Sequence, residues 1–416
     1  MIKQQELPAL FTGMMATFAG IGVARFAYTP LLPAIIQADW FSASQAAYLG
    51  AANLLGYLLG ALAGHPLSER YATRPLFGLC FAGIALSFLL CAWPNLFSWF
   101  FLWRLVSGIA GGILVVVGPS IALTATPPAR RTGVGTLVFT GIGLGSLVSA
   151  LIVPLLLAVS LTATWLALGI LLIAAGLFCR SNLAKLDGAP AAEPQATDDA
   201  ELDASPVEPA QPLPTGKPES MKRPAGLALV ITLVMMAYAL DAIGFVPHTV
   251  FWVDYLAREK ALGAHAASLQ WAIFGMGAVS GPFIVSWLAR HLGWHRGLVL
   301  AFLTKSTAVA LPLLSVAFFS RSASSFMVGA MIPGIVALTS GRLAELAGPA
   351  DHKRLWGQAT ATFAAAQAVS GYGMSALYDA WNTYTPLYAI GSAVLASGLL
   401  LALLSQVAYR RQPDPA

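Results

Sequence analysis

Four charged side chains interrupt long apolar runs of this chain: Arg25, Arg104, Asp241 and Lys305. A charge at the centre of a hydrocarbon layer costs at least ~2.5–3.5 kcal/mol unless a partner or water reaches it. Such residues therefore pair or face a wet cavity, where they exchange protons or hold charged solutes. Arg25 is a permanent cation suited to an anionic group, and Asp241 can either take up a proton or accept Arg25 as its partner. Tyr28 and Thr29 stand three and four residues beyond Arg25, so a helix places them on its face. Around Asp241, the residues Tyr238, Phe245 and His248 keep the spacing of one helical stripe. His248 has two readings there, a proton relay or a bond to a neighbour beside Pro247. The amides of Asn53 and Gln367 either reach the same cavity or join helices. Lys305 lies near the end of its run, where a long side chain snorkels to the interface, and it is given no functional role.

These residues need elements that hold them at depth. The chain has 416 residues, of which 57% are hydrophobic and only 10% charged, too little charge to cover a soluble domain of this size. The apolar residues come in blocks of about twenty or more, the length that crosses a bilayer as a helix. Turn and charge signals divide them into twelve spans: 8–36, 43–64, 75–94, 98–125, 133–158 and 161–180, then 225–253, 267–289, 297–319, 324–347, 355–380 and 384–408. The expectation is an all-α integral membrane protein. Prolines 119, 247, 282, 312 and 333 fall inside spans and are candidate bends.

The basic residues between spans fix an orientation. With the first residue in the cytoplasm, Lys3, Arg70, Arg74, Arg130, Arg131 and nearly all later ones fall inside, and only Arg258, Lys260 and Arg321 fall outside. Both termini are then cytoplasmic. The net charge of +5 is dispersed in these short groups, which argues against a nucleic-acid partner. The three cysteines lie in or beside apolar blocks and read as packing residues, with no disulfide framework or metal site. The first block is too long for a cleaved signal segment, so it is expected to remain as a span.

Residues 181–224 are rich in Ala, Pro, Asp and Glu and cannot bury a core, so they read as a disordered cytoplasmic linker. The linker separates an N-terminal six-helix half, 1–180, from a C-terminal half, 225–408, followed by a cytoplasmic tail, 409–416. An internal repeat supports the division: Leu67–Ser68–Glu69–Arg70 and Leu288–Ala289–Arg290–His291 both follow the second span of their half. Arg25 lies about seventeen residues into span 1 and Asp241 about sixteen into span 7, which gives them matching depths.

The loop copies, the two-half plan and Arg104-x-x-x-Gly108 in span 4 together resemble the major facilitator superfamily across essentially the whole chain. The copy from Leu288 to Arg296 has Arg290 where that family has its acid, and the copy at Leu67 has Glu69 for the expected aspartate. The G-P pattern of antiporters is not kept, because Gly145 is followed by Ser146. The opening helix, Gly20–Ile21–Gly22–Val23–Ala24–Arg25–Phe26–Ala27–Tyr28–Thr29–Pro30, resembles that of a bacterial branch, the YbfB/YjiJ-like permeases.

The resemblance implies twelve transmembrane helices in two pseudo-symmetric six-helix bundles, with helices 1, 4, 7 and 10 around a central cavity. It implies a monomeric carrier in the bacterial inner membrane that moves a small organic solute by alternating access, and Arg25 and Asp241 add an anionic solute and coupling to protons as expectations. Arg25, Tyr28, Thr29, Asn53, Asp241, Phe245, His248 and Gln367 are then the cavity candidates. Arg104 and Gly108 read as either a coupling element or a structural clamp, and Glu69, Arg70 and Arg74 as a gating loop that pairs across the halves when the carrier opens outward, or as a solvated basic loop. Efflux of an amphipathic compound is the close alternative, and a non-transporting membrane sensor is the alternative of another class. Nothing in the sequence asks for a cofactor or metal. No phosphate-binding glycine loop and no nucleophile–base pair at one depth point to an enzyme.

Overall fold

The computed structural model describes residues 4–127, 130–187 and 225–411. Among these residues every regular element is helical. The elements are α1 (Gln4–Gln37), α2 (Ala43–Arg70), α3 (Thr73–Leu90), α4 (Phe97–Thr124), α5 (Arg131–Leu157), α6 (Leu161–Asp187), α7 (Gly226–Glu259), α8 (Gly263–Leu314), α9 (Phe318–Trp381) and α10 (Thr385–Arg410). Ten helices, with α9 taken only as far as Gly348, are long and apolar enough to cross a membrane.

Two of these elements bend back on themselves. Gly293 has φ 77° and breaks α8 into two arms, 263–292 and 294–314; Gly348 has φ 71° and does the same in α9. Both are left-handed positions that a residue without Cβ adopts without strain. The arm of α9 beyond Gly348 is less apolar than the rest, since Gln358, Thr360, Thr362, Gln367 and Ser370 thin its hydrophobic run.

Helix ends differ from expectation in two instructive places. The helix α2 runs on through Pro66 to Arg70, so the stretch Leu67–Arg70 is the last helical turn and not a free loop. Helix α6 continues seven residues past position 180 to Asp187, with Asn182 Nδ2 donating to Phe178 O at 2.9 Å and Lys185 in its last turn. A basic residue there suits the negative end of the helix dipole. The rest of the expected linker, 188–224, and the last five residues, 412–416, lie outside the described residues.

Small residues let the helices approach closely. A Cβ on Gly56 of α2 would strike the Leu105 carbonyl of α4, and one on Gly108 would strike the Asn53 carbonyl. A Cβ on Gly20 of α1 would lie 2.7 Å from the Gly111 carbonyl, and one on Gly22 would lie 2.8 Å from Gly145 Cα. Where helices have no hydrophobic drive toward one another, this close backbone packing holds them.

Two helices are distorted in the middle. In α1 the stretch Phe18–Val23 is π-helical, with Ala24 N–H donating to Ala19 O and Phe26 N–H to Ile21 O. In α7 the α-helical part ends at Gly244 and π-helical turns follow at Pro247–Phe251 and Tyr255–Glu259. Such bulges re-aim the side chains beyond them and concentrate at functional sites. Past the distortion, α1 leans on the π-helical part of α7: Thr29 Oγ1 donates a short hydrogen bond to Thr249 O. Before it, α1 packs chiefly on α4, α5 and α6, and α7 packs chiefly on α9 and α10.

Candidate functional site

The buried charges gather beside the two distortions. Lys305 of the second α8 arm donates to Asp241 Oδ1 of α7 at 2.7 Å, with both side chains essentially inaccessible. This corrects two expectations. Lys305 does not snorkel to the interface, and Asp241 is taken by Lys305 and not by Arg25. Lys305 stands on the face of the second α8 arm that packs toward α7. A buried carboxylate gains more from a 2.7 Å ammonium than from a cation on another helix wall.

Arg25 instead faces the second arm of α9, where its Nη1 donates to Gln367 Oε1 at 2.7 Å. Its Nε and Nη2 have no hydrogen-bond partner among the described residues, and neither has Gln367 Nε2 or Asp241 Oδ2. Phe245 stands between the two cations. Lys305 Nζ lies 4.0 Å from its ring centroid and Arg25 Cζ lies 5.9 Å away. The site thus holds two cations against one carboxylate, an excess of one positive charge, together with three unpartnered donor nitrogens of Arg25 and Gln367. A planar carboxylate or a phosphate-like oxyanion matches that donor set.

Arg104 supports the site from behind. Its Nη1 donates to Ala24 O at 2.9 Å, its guanidinium lies 4.3 Å from the Tyr28 ring centroid, and Tyr28 OH donates to Ala46 O at 2.8 Å. Asn53 Nδ2 donates to Arg104 O at 3.3 Å, so Asn53 joins α2 to α4. Arg104 thus ties α4 to the turn that presents Arg25, and its Nε has no hydrogen-bond partner among the described residues. Gly108 provides the close α2–α4 crossing beneath it.

His248 follows Phe245 by three residues, with its backbone N–H donating to Phe245 O at 3.1 Å. The turns from Pro247 to Phe251 are π-helical, which shifts the side-chain register around His248. His248 Nε2 lies 2.8 Å from Ser324 Oγ, and the ring stacks on Trp252 at 4.5 Å and meets Tyr388 edge-on at 5.1 Å. Thr29 lies at the contact of α1 with α7, one helical turn beyond Arg25. Tyr238 stacks on Phe363 at 4.5 Å and forms an aromatic wall on the other side of Asp241.

Glu69, Arg70 and Arg74 are exposed at the end of α2 and the start of α3, and Glu69 pairs with His65 of its own helix at 3.4 Å. A polar cluster at the opposite end escaped the sequence reading. Asp254, fully buried, receives Arg258 Nε at 2.5 Å, Arg258 Nη2 at 2.6 Å and Tyr384 OH at 2.6 Å. Glu259 accepts from Tyr384 N–H and Thr385 Oγ1, closing the start of α10. The i,i+4 pair Asp254–Arg258 was the available signal.

With this geometry in view, comparison with known families matches residues 17–403 to the family described as "Uncharacterised MFS-type transporter YbfB". Comparison with curated proteins finds no match.

Proposed function

The chain belongs to that family of MFS-type transporters, and from this membership we propose that it is a proton-coupled secondary carrier of a small organic solute bearing an anionic group. Arg25 and Gln367 hold the anion, and Asp241 with Lys305 form the charge pair that responds to protons. The observation that carries the reading is the positive excess around Phe245 next to three unused donors. The same excess disfavours a cationic amphiphile as cargo. It narrows the efflux alternative to anionic compounds.

The expected arrangement of twelve spans draws support from the breaks at Gly293 and Gly348, which divide α8 and α9 into two spans each. The two six-helix halves join where α1 meets α7, α2 meets α9 and α5 meets α8. The distribution of basic residues supports cytoplasmic termini, in the bacterial inner membrane that the resemblance implies. In that frame the outer parts of α1 and α7 are closed on each other through Thr29 and Thr249, while their cytoplasmic parts pack within their own halves. The arrangement is that of a carrier closed to the outside. Glu69 pairs with His65 of its own helix, and Thr136 Oγ1 lies 3.0 Å from Ser286 Oγ where α5 meets α8.

A protonated Asp241 releases Lys305, which leaves the site more positive and better able to hold the anion; loss of the proton restores the pair. Uptake into proteoliposomes with an imposed pH gradient tests the proposal. Metabolite profiles of a deletion strain against an overexpressing strain supply the candidate acids. Accumulation of one such acid in response to the gradient is expected with wild type and not with Arg25→Gln. Flux indifferent to the gradient refutes proton coupling, and equal flux in Arg25→Gln refutes the anion site.

A further inference from the structure

A second pocket lies at the end of the molecule where the chain begins and ends, away from Arg25. It is a cleft of about 480 Å³ between the Gly293 turn, the second arm of α8, the first arm of α9 and the last turns of α10. Its floor is Arg342, which is 97% buried: Nη1 donates to Glu345 Oε2 at 2.6 Å, Nη2 donates to Gln406 Oε1 at 3.2 Å, and the guanidinium lies 5.0 Å from the Tyr409 ring centroid. Arg342 Nε and the neighbouring His295 Nδ1, both lining residues of the cleft, have no hydrogen-bond partner among the described residues. Arg296 and Arg410 stand exposed on the rim. Three arginines therefore face a single carboxylate, Glu345.

The rest of the lining is of opposite character. Leu300, Leu303 and Leu403 are 38%, 49% and 44% exposed, and they continue into the bare apolar faces of the second α8 arm and of α10. A soluble anion has no use for that wall. A molecule with a phosphate at one end and an alkyl chain at the other uses both parts, and the lipids that surround these two helices are of that kind.

We propose that this cleft is a binding site for an anionic phospholipid of the adjoining leaflet, with the phosphate between Arg296, Arg342 and Arg410 and an acyl chain along Leu300, Leu303 and Leu403. The site is separate from the transport cavity and stands whether or not the solute is an acid. Bound there, the lipid bridges the two arms of α8, α9 and α10.

The test is native mass spectrometry of the purified full chain in detergent, titrated with phosphatidylglycerol, with phosphatidylcholine of the same chains, and with inorganic phosphate as competitor. Phosphatidylglycerol is expected to bind at least tenfold more tightly than phosphatidylcholine. Removing both rim charges, Arg296→Gln with Arg410→Gln, is expected to weaken it roughly thirtyfold. Both residues are exposed and hold no other element, so the fold tolerates the change. Leu300→Ser with Leu403→Ser is expected to weaken the same lipid. Equal binding of the two lipids, or binding unchanged in the arginine variant, overturns the proposal. Displacement by millimolar phosphate, or binding unchanged in the leucine variant, overturns the lipid as occupant and leaves a site for a free anion.

Discussion

Replacing Lys305 by methionine removes the ammonium and keeps most of the side-chain volume. In the wild type its Nζ is 2.7 Å from Asp241 Oδ1 and 4.0 Å from the Phe245 centroid, with both partners of the ion pair essentially inaccessible. Lys305→Met leaves an unpaired buried carboxylate, which in comparable sites destabilises by about 3–5 kcal/mol. The lost cation–π contact adds up to about 2 kcal/mol where it is desolvated. Asp241→Leu leaves an unpaired ammonium and is expected to fall in the same range. The double variant replaces the pair by two apolar side chains and is expected to recover most of the loss, because neither charge is then left alone. Unfolding of the purified protein by titration with denaturing detergent measures all four members of this double-mutant cycle. Transport by the double variant is expected to be absent even where its stability is restored. If Lys305→Met loses less than about 1 kcal/mol, or if the double variant is as unstable as the sum of the singles, the pair is not coupled as its geometry requires.

Arg104→Lys keeps the charge but loses the planar guanidinium that bonds Ala24 O and lies over Tyr28; transport is expected to fall at least tenfold with expression retained, and an unchanged rate argues against the clamp. Gly20→Val places branched carbons where even a Cβ would sit 2.7 Å from the Gly111 carbonyl. A loss of about 1–3 kcal/mol in the unfolding titration is expected, from overpacking. In Gly50→Cys with Val250→Cys, the new side chains join α2 to α7 where a Gly50 Cβ would lie 2.9 Å from Val250 Cγ1. An oxidant is expected to cross-link the pair and stop transport and a reductant to restore it; cross-linking without effect on flux refutes movement at this seam. Cys80, Cys91 and Cys179 are buried and are not expected to interfere.

The sequence made the spans legible because crossing a bilayer demands long apolar runs, and such runs are visible without any partner. Residue count along a helix also made Arg25 and Asp241 readable as charges within apolar runs, and both are buried. The partner of Asp241 was not legible. Lys305 is 64 residues away, and its inward face depends on how the second α8 arm packs against α7. The surroundings of His248 were not legible for a different reason: a 3.6-residue stripe assumes an α-helix throughout, and π-helical turns begin at Pro247. The glycines at 293 and 348 lie in stretches whose polarity already suggested turns, so the breaks there follow from the residues themselves.

The partner of Arg25 carries one more consequence. Gln367 is a neutral amide, so its bond to Arg25 can be exchanged for an incoming carboxylate at small loss, and the arginine regains a better acceptor than it gave up. A glutamate at 367 would instead act as a tethered competitor, present at a local concentration no free solute could match. On the proposed role of Arg25, the neutrality of this one side chain keeps the anion site from being occupied by the protein itself.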